Sequence, residues 1–208
     1  MSGMGVVDAV ARELMLFAAV MLLIGGIDDL LVDMVYWIRR VRHGPVSAFR
    51  LQPPADAGRI AVFVAAWQEA EVIGAMLRTA LDRFGAGDYR IYVGCYPNDP
   101  ATVDAVAAVA ESDARVRLVI GGRAGPTTKA DNLNLLWRAL CRDDMADGVR
   151  SRAVVLHDAE DVVHPEELGV FAALIGVADV VQIPVLPLIH PKSRMVSGHY
   201  ADEFAQAN

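Results

Sequence analysis

Four times along the chain a short apolar run, rich in β-branched residues, stops abruptly at polar residues and gives way to a stretch with helical spacing. Residues 59–65, 89–95, 116–120 and 152–156 read as strands. Residues 69–84, 102–110, 130–141 and 165–175 read as the helices between and after them. A further apolar run at 179–183 predicts one more strand. Strand and helix in alternation predict an α/β fold with a mostly parallel sheet and helices on both faces.

Ahead of this alternation the pattern is different. Residues 14–27 (LMLFAAVMLLIGGI) carry no charge over 14 positions. The apolar spacing then continues through Leu30, Leu31, Met34, Val35 and Ile38, with Asp29, Asp33 and Arg40 elsewhere on the helix. A helix over 14–38 would be about 37 Å long at 1.5 Å per residue. Tyr36 and Trp37 suit a membrane interface, and Arg39, Arg40 and Arg42 follow at once, which places the following domain in the cytoplasm. Asp8 and Glu13 against a single Arg12 argue against a cleaved secretory signal. The alternative is an interfacial or buried helix. Aspartates at membrane depth are costly unless paired, so a membrane-protein partner is an expectation as well.

Composition refines this picture in three ways. The chain has 208 residues, enough for one domain with a substantial core plus an appendage. Its net charge of −7 argues against nucleic acid as the main partner. Cys95 and Cys141 show no pairing pattern and predict a reducing compartment, with both as small core residues. Residues 43–58 hold three prolines and read as a linker.

The candidate chemistry falls where strands end, and in open α/β sheets the carboxyl ends of strands bind ligands. After the 152–156 run come His157, Asp158, Glu160 and Asp161. Two carboxylates one residue apart there suit a hard divalent cation, which could then hold a diphosphate. The alternative is a helix entry with acidic capping residues. After the first run, Trp67 could face a nucleotide base, while Glu69 could simply complement a helix dipole. Asp99, in the turn Tyr96–Pro100, could bind a ribose or base, or simply cap the next helix. The segment 121–129 (GGRAGPTTK) lacks the Gly that precedes Lys in a Walker motif. Lys129, opening a helix, can still meet a phosphate beside backbone N–H groups. Asn132 and Asn134, indifferent helix formers, follow in the first turns of that helix.

The order AAWQE, YVGCYPNDPAT, TKADNLN, LHDAED, VVQIPV resembles the family 2 inverting glycosyltransferases, most of all their membrane-bound, cellulose-synthase-like branch. The resemblance covers nearly the whole chain, and TKADNLN and DAED are its most specific parts. It implies a GT-A fold, a nucleotide-diphosphate sugar donor, and Mg²⁺ or Mn²⁺ as cofactor. It implies Glu69 and Asp99 on the nucleotide side, Lys129 and Asn134 beside the diphosphate, and Asp158 and Glu160 as the metal-holding pair. Two departures stand out. Cys95-Tyr96 occupy the place where many relatives have an Asp, and Glu160 replaces the commoner second Asp.

The resemblance places the catalytic base in a later acidic motif, so no residue of this chain is assigned that role. Asp202 and Glu203 are the only acidic residues after Asp179, and their ADEF context does not resemble that motif. The organisation expected is a membrane helix over 1–43, a linker over 44–58, a nucleotide-sugar-binding half over 59–190, and the start of a truncated acceptor half over 191–208. As an N-terminal fragment of a bacterial inner-membrane enzyme, the chain alone is expected to be inactive. Two alternatives belong to other classes. One is a non-catalytic nucleotide-sugar-binding scaffold of a phage-adsorption or envelope-assembly system. The other is a metal-dependent hydrolase built on His157, Asp158, Glu160, Asp161 and His164.

Overall fold

The chain is described by a computed structural model over residues 3–43, 58–185, 188, 189 and 192–207. The expected linker at 44–58 lies outside these residues except for Gly58. The chain divides into two units, Met1–Ala48 and Phe49–Asn208.

The first unit is one helix, α1 (Gly3–His43), of 41 residues. It continues on both sides of the span expected from the apolar run and is about 60 Å long. Within it Val7–Arg42 is long and apolar enough to cross a membrane. Its large apolar side chains, from Val7 to Val41, are exposed.

The second unit is built on four parallel strands, β1 (Ile60–Ala65), β2 (Tyr89–Cys95), β3 (Val116–Ile120) and β4 (Ala153–His157), in the order β3-β2-β1-β4. All four agree with the apolar runs to within one residue, because each run is a short apolar stretch set between polar turns; β1 and β2 are buried almost throughout, β3 and β4 only in part. The crossovers are α2 (Ile73–Phe84), α3 (Pro100–Ala110) and α4 (Lys129–Asp147), and α5 (Glu167–Leu174) follows β4. Ile60, Val62 and Val64 of β1 face Ile73, Leu77 and Ala80 of α2 and Val106 and Val109 of α3. Ala61, Phe63 and Tyr92 face the opposite way, onto Leu136, Ala139 and Leu140 of α4. Period-2 alternation thus divides β1 between two cores, and helices cover both faces of β1 and β2, while Val154 and Leu156 of β4 stay exposed on the α4 side.

Helix ends explain most of the boundary differences. Residues 69–72 form a turn before α2, with the Val72 and Ile73 amides donating to the Glu69 carbonyl. Thr128 caps α4 by accepting from the Asp131 amide at 3.1 Å. At its other end α4 runs on to a left-handed Gly148, φ 65°, six residues further than its apolar spacing suggests. The C-terminal half of α4 is tied to the sheet by ions. Asp147 binds Arg59 at 2.8 Å and Arg90 at 2.7 Å, and Asp143 binds Arg117 at 2.9 Å and the Tyr92 hydroxyl at 3.1 Å.

Two expectations fail here. Residues 179–183 are not a strand: they begin at a bend and join no sheet, with Val180 85% exposed, and Pro184 next in line has no N–H for a ladder. Cys141 is not a core residue but lies exposed on α4, whereas Cys95 is buried. A last helix, α6 (Arg194–Ala207), follows; the side chains of Asp202 and Glu203 lie outside the described residues.

Candidate functional site

Parallel strands bring all four carboxyl ends to one edge, and the chain reverses its direction of travel across the sheet between β1 and β4. That is the switch point at which such sheets open a crevice. The loop after β1 passes through Gln68, a non-glycine residue at φ 58°. Asp99 holds that conformation: its Oδ2 accepts from the Gln68 amide at 2.6 Å while its Oδ1 takes the Thr102 amide at 3.4 Å and caps α3. The Thr102 hydroxyl in turn accepts from the Glu69 amide at 3.0 Å. Burial works against a charge on Asp99, but these hydrogen bonds outweigh it and hold its pKa below the usual carboxylate value.

The loops after β2 and β3 are docked on each other. Asn98 grips Gly125 at both backbone groups, donating to its carbonyl at 2.8 Å and accepting from its amide at 2.7 Å. Tyr96 bonds Thr127 at 3.0 Å, and Trp67 stands edge-on to the Tyr96 ring with centroids 5.2 Å apart. A Cβ on Gly125 would come within 2.5 Å of that ring, so only glycine fits there. Asn132 is buried in α4 and donates to the Gly94 carbonyl at 2.9 Å, which answers why an indifferent helix former stands at this place. Cys95, at the end of β2, is buried, and burial and nearby Asp99 push its thiol up to about 12, which disfavours the thiolate.

At β4 the charges converge. The Lys129 ammonium, from the first turn of α4, lies directly on Asp158 Oδ1, with both side chains exposed. The Asp158 amide donates to Asp161 Oδ2 at 2.9 Å, and the same oxygen bonds His157 Nδ1 at 2.9 Å. His157 Nε2 bonds Glu167 Oε1 at 2.6 Å. Burial opposes a charge on His157, but the two carboxylates outweigh it and raise the ring's pKa.

Of the expected site residues, the structure therefore places Lys129 and Asp158 in contact, and Glu160 exposed in the turn two residues on. Glu69 is half-buried behind the Gln68 turn, and Asp99 anchors that turn from within, only 7% exposed. Asn134 is exposed on α4, with no contact to Lys129 or Asp158 described. Among the described residues no group of three or more His, Cys, Asp or Glu stands ready around a metal. A divalent cation held mainly by substrate phosphates needs only one or two protein carboxylates. Asp158 and Glu160 offer that oxygen donor set, and the Lys129 ammonium already marks Asp158 as open to a cation. A dinuclear hydrolase centre fits less well, because both ring nitrogens of His157 are taken by carboxylates. Sequence reasoning missed Glu167 and Asn98; neither belongs to a recognisable motif, and their partners lie ten and 27 residues away.

The model of "Glycosyltransferase like family 2" matches residues 57–208. Bacteriophage adsorption protein B of Escherichia coli K12 is 37% identical over 195 residues, covering 90% of this chain and 26% of that protein. The bacteriophage N4 adsorption protein B of E. coli O157:H7 matches to the same extent. The chain thus spans about a quarter of the length of these curated relatives. Among solved structures, a mannosyltransferase from Pyrobaculum calidifontis in complex with GDP-Man and Mn²⁺ superposes with a TM-score of 0.51 at 18% identity, over 82% of this chain and 47% of that one. The likeness shows a shared GT-A fold.

Proposed function

Since the chain belongs to the glycosyltransferase-like family 2, we propose that it binds a nucleoside-diphosphate sugar at the carboxyl edge of its sheet and serves inverting transfer of that sugar to an acceptor. The observation that carries this reading is the Lys129–Asp158 contact at the switch point, where a cationic and an anionic group meet beside a helix N-terminus. Lys129 and the first turn of α4 would receive the diphosphate, with Asn134 one turn on. The loop that carries Glu69, held by Asp99, would flank the nucleoside. Asp158 and Glu160 would hold Mg²⁺ or Mn²⁺. When bound, such a cation offsets the charge that develops on the leaving diphosphate. An attacking hydroxyl needs a base within about 3 Å, and no residue from 58 to 185 is assigned that part.

Family membership and the length of α1 also support a bacterial membrane location. In this reading α1 crosses the inner membrane, and Arg39, Arg40 and Arg42 stand at its cytoplasmic end. Reporter fusions at the N-terminus and at residue 58 should then report opposite sides. Two cytoplasmic reports, with release of the protein by alkaline carbonate, would exclude the span.

Calorimetry on the full chain in detergent, with UDP and GDP in turn, tests the donor site. Binding should require Mg²⁺ or Mn²⁺, and Asp158→Ala should weaken it by roughly ten- to a hundredfold, the loss of one charge-assisted contact. Equal affinity of wild type and variant in saturating metal would refute the assignment. The adsorption role in the name of the E. coli relatives favours one further reading, a donor-binding scaffold without turnover. Sugar transfer by the full-length protein decides against that reading.

A further inference from the structure

We propose that His157 and Glu167 are positioning residues for the acidic loop: acting through Asp161, they fix the Asp158 backbone and so set where the cation-holding carboxylates stand. The inference rests on the reading of Asp158 and Glu160 as the cation seat. It begins from a buried carboxylate. Glu167, in the first turn of α5, is only 6% exposed, and burying a charge without partners is costly. Its Oε1 lies 2.6 Å from His157 Nε2, and its Oε2 takes the His164 amide at 3.4 Å. The imidazole, 11% exposed, is thereby locked at the end of β4. Its other nitrogen reaches Asp161 Oδ2 at 2.9 Å, and that oxygen also holds the Asp158 amide at 2.9 Å. The turn is closed by the Asp161 amide on the Asp158 carbonyl at 3.2 Å, and Arg83 fixes the loop further on at the Val163 carbonyl, 2.6 Å away.

The relay therefore runs from a buried helix start to the backbone of one exposed residue. A core contact would be served as well by an apolar pair of similar volume. What the relay adds is a fixed backbone at Asp158, and polar sites depend on such support to within about 0.5 Å. A ring that bridges two carboxylates transmits this only while both are present, so Glu167 acts on Asp158 across α5 and β4 without touching any ligand.

The test compares GDP and UDP affinity with and without Mn²⁺ on the full chain in detergent. Loss of positioning lowers only the Mn²⁺-dependent part; general damage to the fold lowers both parts alike. Asp161→Ala should shrink the gain from Mn²⁺ by about tenfold, toward that of Asp158→Ala, with Mn²⁺-free affinity unchanged. Asp161→Asn keeps an acceptor for the Asp158 amide and should restore most of the gain. Glu167→Gln, of the same shape, should fall between, and it carries the test if Asp161→Ala does not fold. Hydrogen exchange at the Asp158 amide should quicken in Asp161→Ala and in Glu167→Gln. If folded Glu167→Gln and Asp161→Ala keep the wild-type gain from Mn²⁺, the positioning role is overturned while the cation seat stands. If affinity falls equally with and without Mn²⁺, the role is merely structural and the proposal fails. A wild type with no Mn²⁺-dependent nucleotide binding removes the seat and the role together.

Discussion

Gly94→Ala tests how tightly α4, the helix that brings Lys129 to the site, is fixed to the sheet. Gly94 lies in β2 beneath the Asn132 side chain, and a Cβ there would overlap Asn132 Oδ1 and stand 2.7 Å from its Cγ. Neither group can yield cheaply. Asn132 is 3% exposed, and its Nδ2 is bonded to the carbonyl of the same Gly94. Overpacking of a core costs about 1–3 kcal/mol, and leaving a buried amide donor without its acceptor costs about as much again. Gly94→Ala should therefore lose about 2–6 kcal/mol, a large share of a stability of about 5–15 kcal/mol. Asn132→Ala should be milder, about 1–2 kcal/mol, because the Gly94 carbonyl still accepts from the Ala66 amide at 3.0 Å. The double variant should recover most of the loss, since the new methyl enters the space that the amide leaves. Thermal unfolding of the full chain in detergent, followed by tryptophan fluorescence, reads this at about 2–4 °C per kcal/mol. Additive losses would refute the reasoning, because they would mean that Gly94 and Asn132 do not compete for the same space.

Three further outcomes follow from the contacts described. Asp99 has a folded pKa below its ordinary value, so it adds stability above the unfolded pKa of about 4, and this is lost as pH falls through the folded pKa; urea midpoints measured against pH should decline less steeply on the acid side in Asp99→Asn. Arg117→Ala, half exposed, should cost less than about 1 kcal/mol, whereas Asp143→Ala, which takes a partner from both Arg117 and the Tyr92 hydroxyl and leaves Arg90 with Asp147 alone, should cost about 1–2 kcal/mol; equal losses in chemical unfolding would show that the ions act as separate pairs. Gly125→Ala should push the 121–128 segment off Tyr96 and raise hydrogen exchange at the Gly125 amide, and unchanged protection there would count against the Asn98 clamp.

What the sequence tells about this molecule depends on distance along the chain. The four paired strands are legible because each is a short apolar run whose character is local. The stretch 179–183 has the same local character and yet forms no strand, because pairing is decided by a neighbour that no local pattern contains. The capping reading of Asp99 describes what its carboxylate does, since Asx caps are short-range. That the same carboxylate also holds Gln68, 31 residues away, has no local signal. The Lys129–Asp158 contact lies between these cases. Each residue sits at a recognisable helix start or strand end, and parallel topology alone brings the two together. Glu167 looks like an ordinary acidic residue in a helix's first turn, and its burial against His157 emerges only when the turn between them is closed.

The strand order also fixes an order in time. β1 meets β2 across 29 positions of sequence and β2 meets β3 across 25, but β1 meets β4 across 93. Closing the longer loop costs about 1 kcal/mol more in chain entropy, and slow long-range closure governs folding rate. On this ground β4 is expected to dock last among the four strands, onto a sheet of β1, β2 and β3, and a late rise of hydrogen-exchange protection in 153–157 on refolding would check it. During synthesis the acidic loop comes into being only after some ninety residues beyond β1 have been made, so of the four strand ends along this edge its chemistry is the last to be joined.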